Sequence, residues 1–529
     1  MMFRKKNFFM LLLVSLLAVA LVGCGGGDSK EKAAETAKQK IFVFGQGSDP
    51  RGLDPAYVDD GESANPIVNI YDGLVRYKPG NTEIEPALAT EWSSSPDGKE
   101  WTFKLRQGVK FHDGTPFNAD AVVFSVSRQL PPQRTDAMPY ASFAFGPVQK
   151  VEKVDDYTVK FILSEPYAPF LANLAMALAA PIVSPAAVEK YGDKFIENPV
   201  GTGPFKFVEW KKGQQIVLEA NKEYWDGAPK LDKLVYKIVK ENSVRASELR
   251  TGGIQAMNGV DPNDVKMLEE AGVTVIKNPG MNINYLAFFC NKKPFDNPKL
   301  RLAVSHAINR ENLINFLYQG LAELPNSMLP SFMPGHDKSL KAPEYNPEKA
   351  KQLLAEAGYP NGLKVTLLTY SAVRPYNPVG GDKLAAAVQA DLRKVGIEVE
   401  IKTYPWKEYK EIYTPEIVQA GDFMLYGWIG DNGDPDNFLS LLETKEIKST
   451  LNAAKYSNKK VDELLVKGRT AKTPEERNAA YSELQKIVQD EAPWVFLSHS
   501  KDMAAVSKNV EGFDLHPVGV VYFRDVDIK

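Results

Sequence analysis

Cysteine is nearly absent from this chain: 2 among 529 residues, Cys24 and Cys290. With Cys24 at the end of an N-terminal leader, Cys290 stands alone and no intrachain disulfide is possible. Stability must then come from core burial, which a body of this length can supply. Histidine is also scarce. The 5 residues His112, His306, His336, His499 and His516 are far apart, with no H-E-x-x-H and no tight metal-ligand spacing. They read as packed or solvated side chains. No G-x-S-x-G elbow or G-x-x-x-x-G-K-[ST] phosphate loop occurs. S-x-x-K at 457–460 and 498–501 lacks its S-D-N and K-T-G companions. The formal net charge is only -3, so no basic footprint indicates a nucleic-acid partner. Beyond residue 22 no apolar run is long enough to cross a bilayer. Together these absences argue against an enzyme and leave no cofactor or metal to place. They favour a binder.

What is present starts at the N-terminus. Arg4, Lys5 and Lys6 precede an apolar run over 8–22, the layout of a secretory leader. The run is shorter than the roughly 20 residues a membrane helix needs. Leu21-Val22-Gly23-Cys24 resembles the lipobox of bacterial lipoproteins. That resemblance implies cleavage before Cys24, lipidation of its thiol, and an extracytoplasmic protein held to the membrane by its first residue. Residues 24–40 are small and charged and form a flexible tether. The folded body is expected from Ile41-Phe42-Val43-Phe44 onward.

Strand and helix signals alternate through that body. Period-two alternation marks strands at 101–105 and 157–161. Asn346-Pro347 opens a helix that Gly358 ends. A strand follows over 364–368, then a helix over 383–395 stopped by Gly396, then a strand over 397–401. Thr473-Pro474-Glu475-Glu476 reads as a capping box before a long helix. Pro493 ends that helix ahead of a strand over 494–497. This order builds α/β domains with open sheets.

Two loops stand out. Arg374-Pro375-Tyr376-Asn377-Pro378 follows the strand over 364–368. Asp431-Asn432-Gly433-Asp434-Pro435-Asp436-Asn437-Phe438 follows a strand over 423–428. The acidic run fails the calcium-loop pattern, with Gly at the third ligand position and Pro in its middle. Open α/β sheets place ligands beyond the carboxyl ends of their strands. An arginine fork suits a carboxylate, and an aspartate suits an ammonium. The two loops could therefore recognise a zwitterion, with Tyr376, Trp406 and Trp428 as ring walls.

The chain further resembles the dipeptide-binding branch of the peptide/nickel family of ABC-transporter solute-binding proteins, from about residue 41 to the end. Family-wide stretches include Leu53-Asp54-Pro55, Tyr71-Asp72-Gly73-Leu74-Val75, Leu88-Ala89-Thr90-Glu91-Trp92 and Gly201-Thr202-Gly203-Pro204-Phe205. The segment 103–115, ending Phe111-His112-Asp113-Gly114-Thr115, belongs with them. R-P-Y-N-P and G-D-N-G-D-P-D-N-F are narrower and resemble the dipeptide branch. The resemblance implies that Arg374 binds the peptide carboxylate and Asp431 its ammonium, with Tyr376 and Trp406 in the pocket. Well-known members of that branch carry disulfides this chain cannot form, and their leaders are often cleaved without lipidation.

The fold so implied is α/β, a two-lobed clamp of class II periplasmic-binding-protein type with a third domain. Domain I comprises 41–72, 201–283 and 498–529, domain II the insertion 73–200, and domain III 284–497. The implied role is capture of dipeptides or short peptides by a monomer, for an importer's permease and ATPase subunits. The rival readings are haem, a metal chelate or a longer peptide on the same scaffold, and an exported peptidase.

Overall fold

A 13-residue strand, Trp494–Val506, is the spine of the main sheet. Its first half pairs antiparallel with Asn282–Phe288, with Trp494 opposite Ala287 and Ser498 opposite Asn284. Its second half pairs with Thr274–Pro279, from Lys501 opposite Pro279 to Val506 opposite Thr274. One strand thus changes partners between Ser498 and Lys501. The sequence marks only 494–497 as strand, because His499-Ser500-Lys501-Asp502 interrupts the apolar run. Pairing on both sides carries the extended backbone through that polar stretch. The computed structural model describes residues 39–371, 373–406, 408–409, 420–449 and 451–529. Cys24, its leader and nearly all of the tether lie outside them.

Around the spine the main sheet has 12 strands among the described residues. On one side lie Asn282–Phe288, Phe423–Ile429, Leu363–Tyr370 and Ile397–Tyr404, in that order. On the other lie Ala256–Asn258, Ile41–Gln46, Lys233–Ile238, Gln215–Ala220 and Phe205–Lys211. A separate antiparallel sheet of 4 strands spans Ala89–Ser94, Glu100–Leu105, Thr158–Leu163 and Val148–Asp155. Apolar side chains from 281–497 form one core, built around Tyr285, Phe288, Leu367, Phe423 and Phe438. A second gathers Phe42, Phe44, Leu218, Leu234 and Phe523. A third lies over the four-stranded sheet, with Phe103, Phe161 and Phe170 at its centre. This is a mixed α/β fold of the two-lobed clamp type.

Local signals account for many element ends. Asn346 accepts from the Lys349 amide at 3.0 Å and Pro347 takes the first helical position. The next strand begins after Gly358, whose φ of 95° only glycine adopts without strain. Thr473 accepts from the Glu476 amide at 3.2 Å, as a cap should. The Glu476 carboxylate reaches the Lys472 amide at 3.2 Å, so the box closes one residue early.

Candidate functional site

Leu363–Tyr370 and Phe423–Ile429 are neighbouring parallel strands, with Leu367 beside Phe423. Their following loops leave from the same end of the sheet. Arg374 and Asp431 are therefore brought to the same end of the sheet by strand order rather than by nearness in sequence.

The arginine loop is closed by reciprocal backbone bonds, Arg374 N–H to Asn377 O at 3.0 Å and Asn377 N–H to Arg374 O at 2.8 Å. Buried Asn377 anchors it, donating to the Tyr370 hydroxyl at 3.0 Å and accepting from that of Tyr318 at 3.2 Å. The Arg374 guanidinium lies 4.0 Å from the centre of the Trp406 ring, a contact that holds its plane in place. Trp406 stacks on Tyr426, with centroids 6.0 Å apart and planes 15° from parallel. Tyr376 is buried and completes this cluster, 6.4 Å from Tyr426 and 6.3 Å from Tyr370. It lies so close to Gly427 that a Cβ there would meet its ring at 2.2 Å. Arg374 forms no ion pair among the described residues, and its Nε is buried without a hydrogen-bond partner.

The aspartate loop is neutralised in part. Arg477 grips Asp434 with two bonds of 2.7 and 2.6 Å. Arg469 binds Asp436 at 2.9 and 3.1 Å and Glu443 at 2.9 and 2.8 Å. Asp431 alone of the three loop acids has no cation among the described residues. Its Oδ1 accepts from the Tyr140 hydroxyl at 2.8 Å and its Oδ2 from Asn437 at 3.3 Å. Trp428, expected as a ring wall, donates its indole N–H to Asn437 Oδ1 at 2.7 Å and so orients that amide. It shares a strand face with Tyr426 two residues earlier. Burial pushes the Asp431 carboxyl up to about 6, against the lowering effect of the Tyr140 and Asn437 hydrogen bonds; the nearby charge of Asp59 adds to the rise.

Segment 73–200 packs directly against this loop. Besides Tyr140, Asn173 accepts from the Asn432 amide group at 2.7 Å. Gly433 faces Thr82, and a Cβ on it would lie 2.1 Å from the Thr82 hydroxyl. The Ala168 amide donates to Arg469 O at 2.8 Å. All five residues singled out in the sequence lie at the carboxyl ends of three neighbouring strands. Arg374, Tyr376 and Trp406 form one group, Trp428 and Asp431 another, and Tyr426 lies between them. Sequence reading misses Tyr140, Asn173, Thr82, Tyr426, Arg469 and Arg477. Only Tyr426 had a local signal, its alternation with Trp428.

Each of the 5 histidines bonds a backbone carbonyl: His112 to Gly203, His306 to Glu344, His336 to Leu329, His499 to Asn282 and His516 to Asn81. Among the described residues no group of acids, histidines and cysteines could hold a metal ion. No helix there is long and apolar enough to cross a membrane.

The family model "Bacterial extracellular solute-binding proteins, family 5 Middle" matches residues 83–450. The chain belongs to this family. Among similar proteins, heme-binding protein A of Haemophilus influenzae is 36% identical, over 98% of each chain. The periplasmic binding protein DppA of Helicobacter pylori, solved with the peptide STSA, is 37% identical with a TM-score of 0.81, covering 92% of this chain and 98% of the other. The dipeptide-binding protein of Pseudoalteromonas sp. SM9913, solved with Met-Leu, is 30% identical with a TM-score of 0.83, covering 93% of this solute-binding protein and 100% of that chain. These relatives carry names for what they bind, not for a reaction. The two-lobed fold of this solute-binding protein is theirs.

Proposed function

We propose that this solute-binding protein captures short peptides, dipeptides first, between Arg374 and Asp431 and delivers them to the permease of an ABC importer. Cytoplasmic ATPases of that importer then drive uptake. One observation carries the reading. Asp431 is the only acid of its loop without a cation among the described residues, while Arg374, with no carboxylate partner there, sits at the end of the neighbouring strand. A buried charge is costly unless paired, and a free dipeptide brings an ammonium for one and a carboxylate for the other. Two structural relatives were solved with peptides, which supports the class.

Mass spectrometry of ligand co-purified with the protein, followed by calorimetry with dipeptides, longer peptides and haem, tests it. Nanomolar-to-micromolar dipeptide binding is the expected result. Haem or a chelate binding in place of every peptide would reject the assignment. Absence of peptide turnover in the same incubations is expected of a binder rather than a peptidase.

The reading includes lipid anchoring through Cys24 and action as a monomer at the outer face of the cytoplasmic membrane, or in a periplasm. Cys24→Ala should release the protein from membrane fractions or stall leader processing. It includes the three-part division too; one core lies in 281–497 and one in 73–200, while the core of Phe42, Leu218 and Phe523 also takes in Leu178, Val183, Ala187 and Phe195, and a fourth surrounds Leu249, Ile254 and Leu268.

A further inference from the structure

The spine strand changes partners between Ser498 and Lys501, and this crossing is tightly clasped. Asn282 lies at the start of the first partner strand. Its side chain accepts from the Ser500 amide at 2.9 Å and donates to the Ser500 carbonyl at 2.9 Å. His499 Nδ1 bonds the Asn282 carbonyl at 2.6 Å. Gly280 passes so close that a Cβ there would sit 2.1 Å from the Ser500 carbonyl. Strands that cross between lobes are where a clamp absorbs its change of φ and ψ on closing.

Ser500 has a third attachment. Its hydroxyl donates to the Tyr376 carbonyl at 2.8 Å, and the residue is fully buried. Tyr376 lies inside the closed turn from Arg374 to Asn377. The two ends of this hydrogen bond are 124 residues apart. One end is the crossing point, and the other is the turn that aims the guanidinium. Of the remaining anchors of the turn, Tyr370 comes from the core of one lobe, whereas Tyr318 also accepts from the Asn284 side chain at 2.9 Å, opposite Ser498, and so ties Asn377 to the first partner strand beside the crossing. Ser500 alone of these bonds the turn from the crossing residues themselves.

We propose that Ser500 is a positioning residue, whose hydroxyl fixes the arginine turn to the crossing strands so that the carboxylate-binding group is aligned by lobe closure. The inference rests on Arg374 being the partner of the ligand carboxylate. It says nothing of the ammonium end, and this separates it from a general packing role. A buried hydroxyl that merely supported the fold would weaken all ligands alike. One that aligns Arg374 weakens only ligands whose carboxylate Arg374 reads.

The test uses the full-length protein with two probes, Met-Leu and Met-Leu amide, titrated by calorimetry into wild type, Ser500→Ala and Ser500→Thr. Wild type should strongly prefer the free acid; equal affinity for both probes would reject the Arg374 assignment itself, and the present inference with it. In Ser500→Ala the preference should shrink by about fivefold, the usual net worth of one hydrogen bond, with amide binding unchanged. Ser500→Thr, which keeps the hydroxyl, should retain the wild-type preference. An undiminished preference in Ser500→Ala would overturn the proposal. So would an equal loss for both probes, failure of Ser500→Ala to fold, or loss of the preference in both variants, since each assigns Ser500 to packing alone.

Discussion

Tyr140 and Asp431, 291 residues apart, are joined across the cleft by a 2.8 Å hydrogen bond from the phenol to Oδ1. The bond links the aspartate expected to read an ammonium with a side chain from the opposite wall. On the proposed reading, amine recognition and the contact with segment 73–200 meet at one carboxylate.

Removal of the phenol should show this coupling. A hydrogen bond to a charged group is worth about 1.5–3 kcal/mol, so Tyr140→Phe should weaken dipeptide binding by about tenfold or more. Asp431→Asn should cost about 2–5 kcal/mol, the range for truncating a buried charge pair. N-acetylation of the peptide should do comparable damage to wild type and little further damage to Asp431→Asn. Calorimetric titration measures all four combinations.

Binding should depend on pH through Asp431. Its carboxyl titrates at about 6, well above the ordinary value of about 3.9, so below about pH 6 a proton competes with the ammonium. Affinity for a dipeptide should fall toward tenfold per pH unit on descending from 6. Stability of the ligand-free protein has the opposite slope. The native state holds the proton more tightly than the unfolded chain, so stability decreases as pH rises from about 4 to 6 and is level above. Asp431→Asn should remove this contribution to both slopes, as read by titration and by denaturant melts across pH.

Gly433 offers a way to oppose closure without touching the ligand groups. A methyl at this position would overlap Thr82, with its Cβ 2.1 Å from Oγ1 and 2.3 Å from Cβ. Overpacking of this kind costs about 1–3 kcal/mol, incurred where the two walls meet. Gly433→Ala should therefore weaken binding by roughly 5- to 150-fold, as read by calorimetric titration. The double variant with Thr82→Gly should recover most of the affinity, a coupling that a double-mutant cycle quantifies.

The arginines behind the aspartate loop should matter to stability. Asp434 is 7% exposed and Arg477 grips it with both Nη atoms. Arg477→Leu strands a buried carboxylate and should cost about 3–5 kcal/mol in urea unfolding. Adding Asp434→Leu should return part of that loss, because the uncompensated charge is then gone.

Much of the site's framework was legible in the sequence. Both strands, over 364–368 and 423–428, were assigned from the sequence, and the rule that ligands bind beyond carboxyl strand ends singled out the loops of Arg374 and Asp431. That these strands are adjacent and parallel was not readable, since the sheet order threads through segments far apart in the chain. Tyr140, Asn173 and Thr82 were invisible for a related reason: they belong to a wall contributed some 250 to 350 residues earlier, with no local pattern marking them. Arg469 and Arg477 sit on the helices Lys459–Thr470 and Pro474–Glu491 among many exposed charges, where they look like ordinary solvated residues. By residue type Asp434 and Asp436 do not differ from Asp431; only the resemblance singled Asp431 out, and the pairing of the other two with Arg477 and Arg469 was not readable from the sequence. Ser500 was hidden in a polar interruption that read as the end of a strand.

The shared spine has a consequence for how the chain acquires its structure. Trp494–Val506 supplies an interior strand to both halves of the sheet, yet it lies close to the C-terminus. Neither half can finish its hydrogen-bond ladder until this last strand arrives, so synthesis of the first lobe segments does not produce a completed unit. A protein that is threaded outward before it folds benefits from such an order. Its own topology delays completion of either half until this strand is available.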